Sequence, residues 1–173
     1  AARTIVPTGM LIDGQLTINE GGTNSASVQL SSAPSGEVTV QVQLATADNG
    51  FSLQTPSTLI FTPTNWNVPQ SVTVHKAADL DGRAGVAQLN FTAADWIAGQ
   101  ISIVEVESDT PELILSAATS ATVDEVGIQT SIITVRLATQ PAFDVAVPIR
   151  VSHATEGRLS TSQLTFRVDN WNV

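Results

Sequence analysis

The chain has 173 residues, with seven basic and sixteen acidic side chains, a net charge of −9, no cysteine and no tyrosine. That balance argues against the basic surface that nucleic acid or anionic lipid requires, and the missing cysteines exclude a disulfide framework or a thiolate metal site. No run approaches the roughly 18 apolar residues needed to cross a membrane, and a first residue of Ala rather than Met reads as a processed or excised chain.

Taken in chain order, residues 1–9 form an N-terminal arm, Arg3-Thr-Ile5-Val6-Pro7, extended in character but with a proline that cannot donate to a ladder. Leu16-Thr-Ile18 leads to Glu20, and Ser27-Val28-Gln-Leu30 follows. In Val38, Val40, Val42 and Leu44 the apolar residues alternate with Thr39, Gln41 and Gln43, the period-two signature of a strand with one buried and one wet face. Leu59/Phe61, Val72/Val74, Ala87/Leu89/Phe91 and Ile101–Val106 continue the pattern, and Pro34-Ser35-Gly36, Asp48-Asn49-Gly50 and Asp81-Gly82 mark turns between the runs. No window carries an apolar stripe at helical spacing. Short alternating strands separated by polar turns predict an all-β sandwich of the immunoglobulin type.

The pattern then repeats. Ser27-Val28-Gln-Leu30-Ser-Ser-Ala-Pro34 returns as Thr134-Val135-Arg-Leu137-Ala-Thr-Gln-Pro141, and Val38–Leu44 returns as Val145–Val151. Leu59-Ile-Phe-Thr-Pro-Thr-Asn65-Trp66-Asn67-Val68 returns as Leu164-Thr-Phe-Arg-Val-Asp-Asn170-Trp171-Asn172-Val173. The offset is 105 residues from Glu20 to Glu125, 107 through the middle and 105 again at the tryptophans. A period of that size is a whole domain rather than a solenoid turn of about 20–50 residues. The expected organisation is an arm at 1–9, one sandwich at 10–109 and a second at 110–173 that lacks its last three strands within this chain. Two readings of that shortfall stand: the native protein continues past Val173, or another chain completes the sheet by strand donation.

Acidity is uneven. Residues 1–109 hold ten acidic and three basic side chains, whereas 110–173 hold six and four. A sandwich gathers its loops at two ends. Glu20, Asp48, Asp79, Asp81, Glu107 and Asp109 all fall at strand ends or in loops, so several are expected to meet where the two repeats join. Ca²⁺ takes six to eight hard oxygen ligands and would neutralise their mutual repulsion, which makes these six the candidate metal ligands. The plainer reading is solvated surface charge.

Leu16-Thr-Ile-Asn-Glu20-Gly-Gly, Val28-Gln-Leu-Ser, Val38-Thr-Val and the Leu59–Val74 stretch around Trp66 together resemble the Calx-beta family and its bacterial immunoglobulin-like relatives. The resemblance covers nearly all of 10–109 and the first part of the second repeat. It implies a module of large extracellular repeat proteins, adhesins or secreted glycosidases, with calcium at the pole that carries Glu20, Asp79, Asp81 and Asp109, and with Asp48 and Glu107 as further members. The acidic run Asp79-Leu-Asp81 is sparser than the family pattern, which implies weaker binding or none.

Other constellations carry less. His75 and His153 fall at non-equivalent repeat positions, which speaks against a shared histidine metal site, and no Gly-x-Ser-x-Gly elbow is present. Asn90-Phe-Thr92 matches a glycosylation sequon inside a strand pattern. Trp66 and Trp171 occupy one repeat position, as a packing residue would; Trp96 has no counterpart. The expectation is a non-enzymatic, secreted, cell-surface structural or adhesive repeat of a bacterial surface layer, filament or large adhesin. Its partners would be neighbouring copies of itself or further repeats of a longer chain, and Ca²⁺ would clamp the junction near Asp109-Thr110-Pro111. The alternative is a glycan-binding accessory module of a secreted polysaccharide-degrading enzyme.

Overall fold

The computed structural model describes residues 2–9, 11, 14–47, 50–54, 57–116, 131–152 and 157–173, and among these the chain is all-β with no helix. It divides into two compact units, Ala1–Asp79 with Arg83–Ser108, and Leu80–Gly82 with Asp109–Val173.

The first unit contains β1 (Ile5–Thr8), β2 (Gln15–Asn19), β3 (Thr23–Leu30), β4 (Val38–Thr46), β5 (Phe51–Leu53), β6 (Thr58–Phe61), β7 (Gln70–Lys76), β8 (Val86–Thr92) and β9 (Gly99–Val106). They form two sheets, β1-β3-β7-β5 and β2-β9-β8-β4-β6, in which β2 runs parallel to β9 and every other neighbour is antiparallel. Two facing sheets of this kind are the arrangement of an immunoglobulin-type sandwich. The alternation in the sequence decides which side chains enter the core. Val72 and Val74 of one sheet and Val40, Leu89, Phe91, Ile101 and Ile103 of the other are buried in a single cluster. Each such side chain stabilises the fold by about 1.5–3 kcal/mol relative to exposure.

The arm at 1–9 is an integral part of this unit. Ile5–Thr8 pairs with β3 in the register Ile5↔Leu30, and Ile5 is buried. A short parallel bridge joins Thr4 to Ile97. The arm passes so close to β9 that a Cβ on Gly99 would stand 2.8 Å from the Ile5 carbonyl oxygen, which is why a residue without a side chain begins that strand. Strand β5 was not foreshadowed by any alternating run, because three residues are too short to show a period.

The second unit contains β10 (Leu113–Ser116), β11 (Thr134–Leu137), β12 (Val145–Pro148) and β13 (Gln163–Phe166), paired as two antiparallel ladders, β10–β11 and β12–β13. Leu137, Phe166 and Trp171 are buried together, with Val135, Val147 and Leu164 packed on them. Strand β12 is shorter than the expected Val145–Val151 run and ends at Pro148, beyond which Ile149 N still donates to the Ser162 carbonyl at 2.8 Å.

The two units share their hydrogen-bond framework. Ile5↔Leu30 corresponds to Leu113↔Leu137, and Val38↔Phe61 to Val145↔Phe166. Leu30 N donates to the Trp66 carbonyl at 2.9 Å, as Leu137 N does to that of Trp171 at 2.7 Å. In both corners an asparagine closes the turn: Asn65 Oδ1 accepts from Thr62 N at 2.5 Å, and Asn170 Oδ1 accepts from Arg167 N at 2.5 Å. The repeated Asn-Trp-Asn-Val is therefore a corner motif, with the asparagine satisfying the turn and the tryptophan carbonyl tying it to the neighbouring sheet.

Candidate metal centre

The acidic pole of the first unit is built from three strand ends, those of β2, β7 and β9. Strand β2 closes in a turn, with Gly22 N donating to the Asn19 carbonyl at 2.8 Å and Gly21 at φ 68°. A positive φ at the third turn position is the requirement of a type II turn, and it leaves Glu20 at the second position, projecting from the sheet end. Glu20 Oε1 accepts from the backbone N–H of Asp79 at 2.8 Å, and Ser108 Oγ donates to Glu20 Oε2. These donors, the Ser108 hydroxyl first and the Asp79 amide second, hold the Glu20 carboxyl below its ordinary pKa against the opposing effect of burial. Glu107 brings a carboxylate oxygen within 4.8 Å of one from Glu20 and likewise of one from Asp79.

Beneath this group lies a residue that the sequence reading passed over. Lys76 is completely buried at the end of β7, with its ammonium 2.7 Å from Asp79 Oδ2 and 3.4 Å from Oε1 of the equally buried Glu105. The Lys76 ammonium also stands 5.6 Å from the centre of the Phe51 ring. Glu105 Oε2 accepts from Gly85 N at 2.7 Å, while its own N–H donates to the Gly85 carbonyl at 3.0 Å. Burial raises the Glu105 carboxyl above its ordinary pKa, and the Gly85 and Lys76 contacts pull it back in part. Both residues sit on buried faces that alternation marks out: Val72, Val74, Lys76 on β7 and Ile101, Ile103, Glu105 on β9. A period-two pattern that ends on a charge of each sign was the signal available in the sequence.

Of the six residues expected to ligate a metal, Glu107 is brought beside Glu20 and, separately, beside Asp79 in the first unit. Asp81 and Asp109 belong to the second unit, and Asp48 lies outside the described residues. Glu125 and His153 lie outside them as well. The Glu20, Asp79 and Glu107 carboxylates are hard oxygen donors of the type Ca²⁺ takes, but either pair falls well short of the six to eight ligands it needs, and Lys76 already engages one Asp79 oxygen.

His75 is not placed as a ligand, since its Nδ1 lies 2.9 Å from the Gly22 carbonyl oxygen. Asn90 of the sequon is half-buried within β8. Elsewhere on the same unit, Arg3, Glu37, Asp95 and Trp96 line a cleft of about 410 Å³, with the Arg3 guanidinium 6.0 Å from the Trp96 ring centre and Asp95 at φ 61°.

No family model matches the sequence, and no curated protein does either. Among solved structures, the chain is similar to the E. coli chaperone DraB, at 8% identity over 84% of this chain and 91% of that chain, with a TM-score of 0.46. A chaperone–tip adhesin complex of CFA/I fimbriae biogenesis is similar at 11% identity over 96% and 98%, with a TM-score of 0.46. The Pseudomonas aeruginosa CupB2 chaperone follows at 10% identity over 94% and 83%, with a TM-score of 0.44.

Proposed function

We propose that the chain is a structural or adhesive segment of a bacterial extracellular protein, such as a surface layer, filament or large adhesin, in which Calx-beta-like sandwiches follow one another. It works without catalysis, and its partners are further repeats or neighbouring copies. The observation that carries this reading is the duplicated framework, in which strand register, corner asparagine and tryptophan carbonyl bond recur in both units. Duplicating an intact backbone frame while its acidic loops diverge is what a building unit selected for shape would show. Cysteine-free, alternating strands rich in Val, Thr and Gln are compatible with export. Calcium bound at Glu107 together with Glu20 or with Asp79 would stiffen the pole of the first unit by cancelling carboxylate repulsion.

Single-molecule extension tests the load-bearing role. One period of 105 residues should release roughly 370 Å of contour in a single step, at up to about 3.6 Å per residue. Gradual lengthening without a force-bearing step refutes it.

The cleft beside Trp96 favours a second reading as a glycan-binding module, because an aromatic wall with nearby carboxylates and a guanidinium can receive a sugar ring and its hydroxyls. A glycan array with wild type and Trp96→Ala separates the two readings. Retention lost in the variant supports glycan binding, and no retention by either protein supports the structural role.

A further inference from the structure

Lys76 stands where an amine, an acyl carbon and a proton carrier meet. Its ammonium is 2.7 Å from Asp79 Oδ2 and 3.4 Å from Glu105 Oε1, and the Lys76 and Glu105 side chains are both sealed from solvent. With a carbonyl bond of about 1.23 Å, a nitrogen at that distance from Oδ2 lies within about 4 Å of the Asp79 carboxyl carbon, close to the roughly 3–3.5 Å of a near-attack arrangement. Glu105 Oε1 is buried without a hydrogen bond among the described residues, and it faces the same nitrogen. Phe51, itself buried, stands over the ammonium with its ring centre 5.6 Å away.

The backbone holds these groups in place. Lys76 N donates to the Gly22 carbonyl at 3.0 Å, Ala77 N to that of Gly50 at 2.9 Å, and Asp79 N to Glu20 Oε1 at 2.8 Å. Gly85 fixes Glu105 twice, through its amide to Oε2 at 2.7 Å and through its carbonyl to Glu105 N at 3.0 Å. Holding the reacting groups together beforehand turns a slow condensation of separate molecules into an effective intramolecular one, and a lysine amine walled off from water is the form that attacks carbon. Charges of both signs are costly to bury, so a reaction that turns an ammonium and a carboxylate into a neutral amide relieves that cost.

We propose that Lys76 and Asp79 condense within the folded first unit into an intramolecular amide, with Glu105 carrying the proton between them. Glu105 takes one proton from the Lys76 ammonium, and the freed amine lone pair attacks the Asp79 carboxyl carbon to form the Nζ–Cγ bond. The proton on Glu105 and a second one from the nitrogen pass to one carboxyl oxygen, the Cγ–O bond breaks, and that oxygen leaves as water. One hydrogen stays on the new amide, Glu105 ends as it began, and nothing is oxidised or reduced. Water departs on the Asp79 side, where the side chain is 36% exposed. The link ties the end of β7 to the residue whose amide donates to Glu20, so it fixes the acidic pole, and it removes the Asp79 carboxylate from the groups open to a cation. Because the ring spans only Lys76 to Asp79 it restrains little of the unfolded chain, and loss of Lys76 or of Glu105 still strands the other group in the interior. The cross-link is independent of whether the protein bears load or binds glycan.

Intact mass spectrometry of the purified 173-residue chain, denatured after folding, tests the proposal. We expect the wild type to be lighter than its sequence by one water, with tryptic cleavage after Lys76 lost and fragment spectra placing the missing mass between Lys76 and Asp79. Lys76→Arg and Glu105→Gln should keep the full mass of their sequences. Asp79→Asn should lose one ammonia in place of water, because its side-chain nitrogen is then the leaving group. That signature is a second readout should Glu105→Gln misfold, since the Asp79 side chain is partly exposed and asparagine has nearly its shape. A wild type at full sequence mass overturns the proposal. A water loss that persists in Lys76→Arg overturns it too, by placing the loss elsewhere, as a succinimide at Asp81-Gly82 would. Persistence of the loss in Glu105→Gln overturns the role of Glu105 as proton carrier.

Discussion

Replacing Lys76 with Met tests the charged interior of the first unit most directly. Lys76 and Glu105 are both fully buried, 3.4 Å apart, so at an effective dielectric near 20 their attraction is about 5 kcal/mol. Desolvation of the two charges offsets most of that, so the intact pair contributes little net stability. Removing one member is different, because Glu105 then remains buried with only the Gly85 amide, and such losses run to about 3–5 kcal/mol. The Asp79 contact adds less, since its side chain is 36% exposed and water screens it. Urea unfolding followed by tryptophan fluorescence, in a Trp171→Phe background so that only Trp66 and Trp96 of the first unit report, should show Lys76→Met lowering the midpoint by about 2 M for an m-value near 2 kcal/mol/M. Glu105→Leu should cost a similar amount, and the double variant should return close to wild type, a coupling that only a cycle can reveal. A single variant within about 1 kcal/mol of wild type, or a double variant as unstable as the two losses added, refutes the account.

Glu20→Gln should narrow the acid sensitivity of the first unit. The Glu20 carboxyl is held below its ordinary pKa, so its contribution is present above the usual carboxylate range and lost as pH falls through the folded value; the gap between wild type and variant in thermal melts should close on acidification. Glu105 works in the opposite sense: its raised pKa favours the folded state at low pH, and that contribution is lost as pH rises from the ordinary value to the raised one. Asn65→Ala and Asn170→Ala remove the same corner acceptor, and each should cost about 1 kcal/mol in its own unit, read by hydrogen exchange in β6 and β13. Calcium at millimolar concentration should raise the melting temperature relative to chelator, and Glu107→Gln should abolish the rise; equal melts for wild type with and without calcium remove the ion from the account.

Period-two alternation made the strands legible, since in a sheet successive side chains must face opposite ways and an aqueous chain can bury only one of those faces. The repeated corner was legible for a related reason: an asparagine that closes a turn with its own side chain is a local device, and local devices survive duplication as recognisable strings. The N-terminal arm was not, because the pairing of Ile5 with Leu30 spans 25 positions and nothing near Ile5 announces it. The six expected metal ligands show the same division. Sequence placed them at strand ends, but the strand order is what sets Glu107 beside Glu20 and Asp79 and assigns Asp81 and Asp109 to the other unit.

By itself, then, the sequence determined the class of the fold, its alternating faces, its period and its acidic balance, all of which follow from contacts within a strand or a turn. Only the tertiary structure decided that Lys76 and Glu105 meet inside the sandwich, and that β3 and β4 each lie between two neighbouring strands. The reason is physical: charge pairing and sheet edges depend on which strands become neighbours, and the parallel pairing of β2 with β9 joins residues more than 80 positions apart.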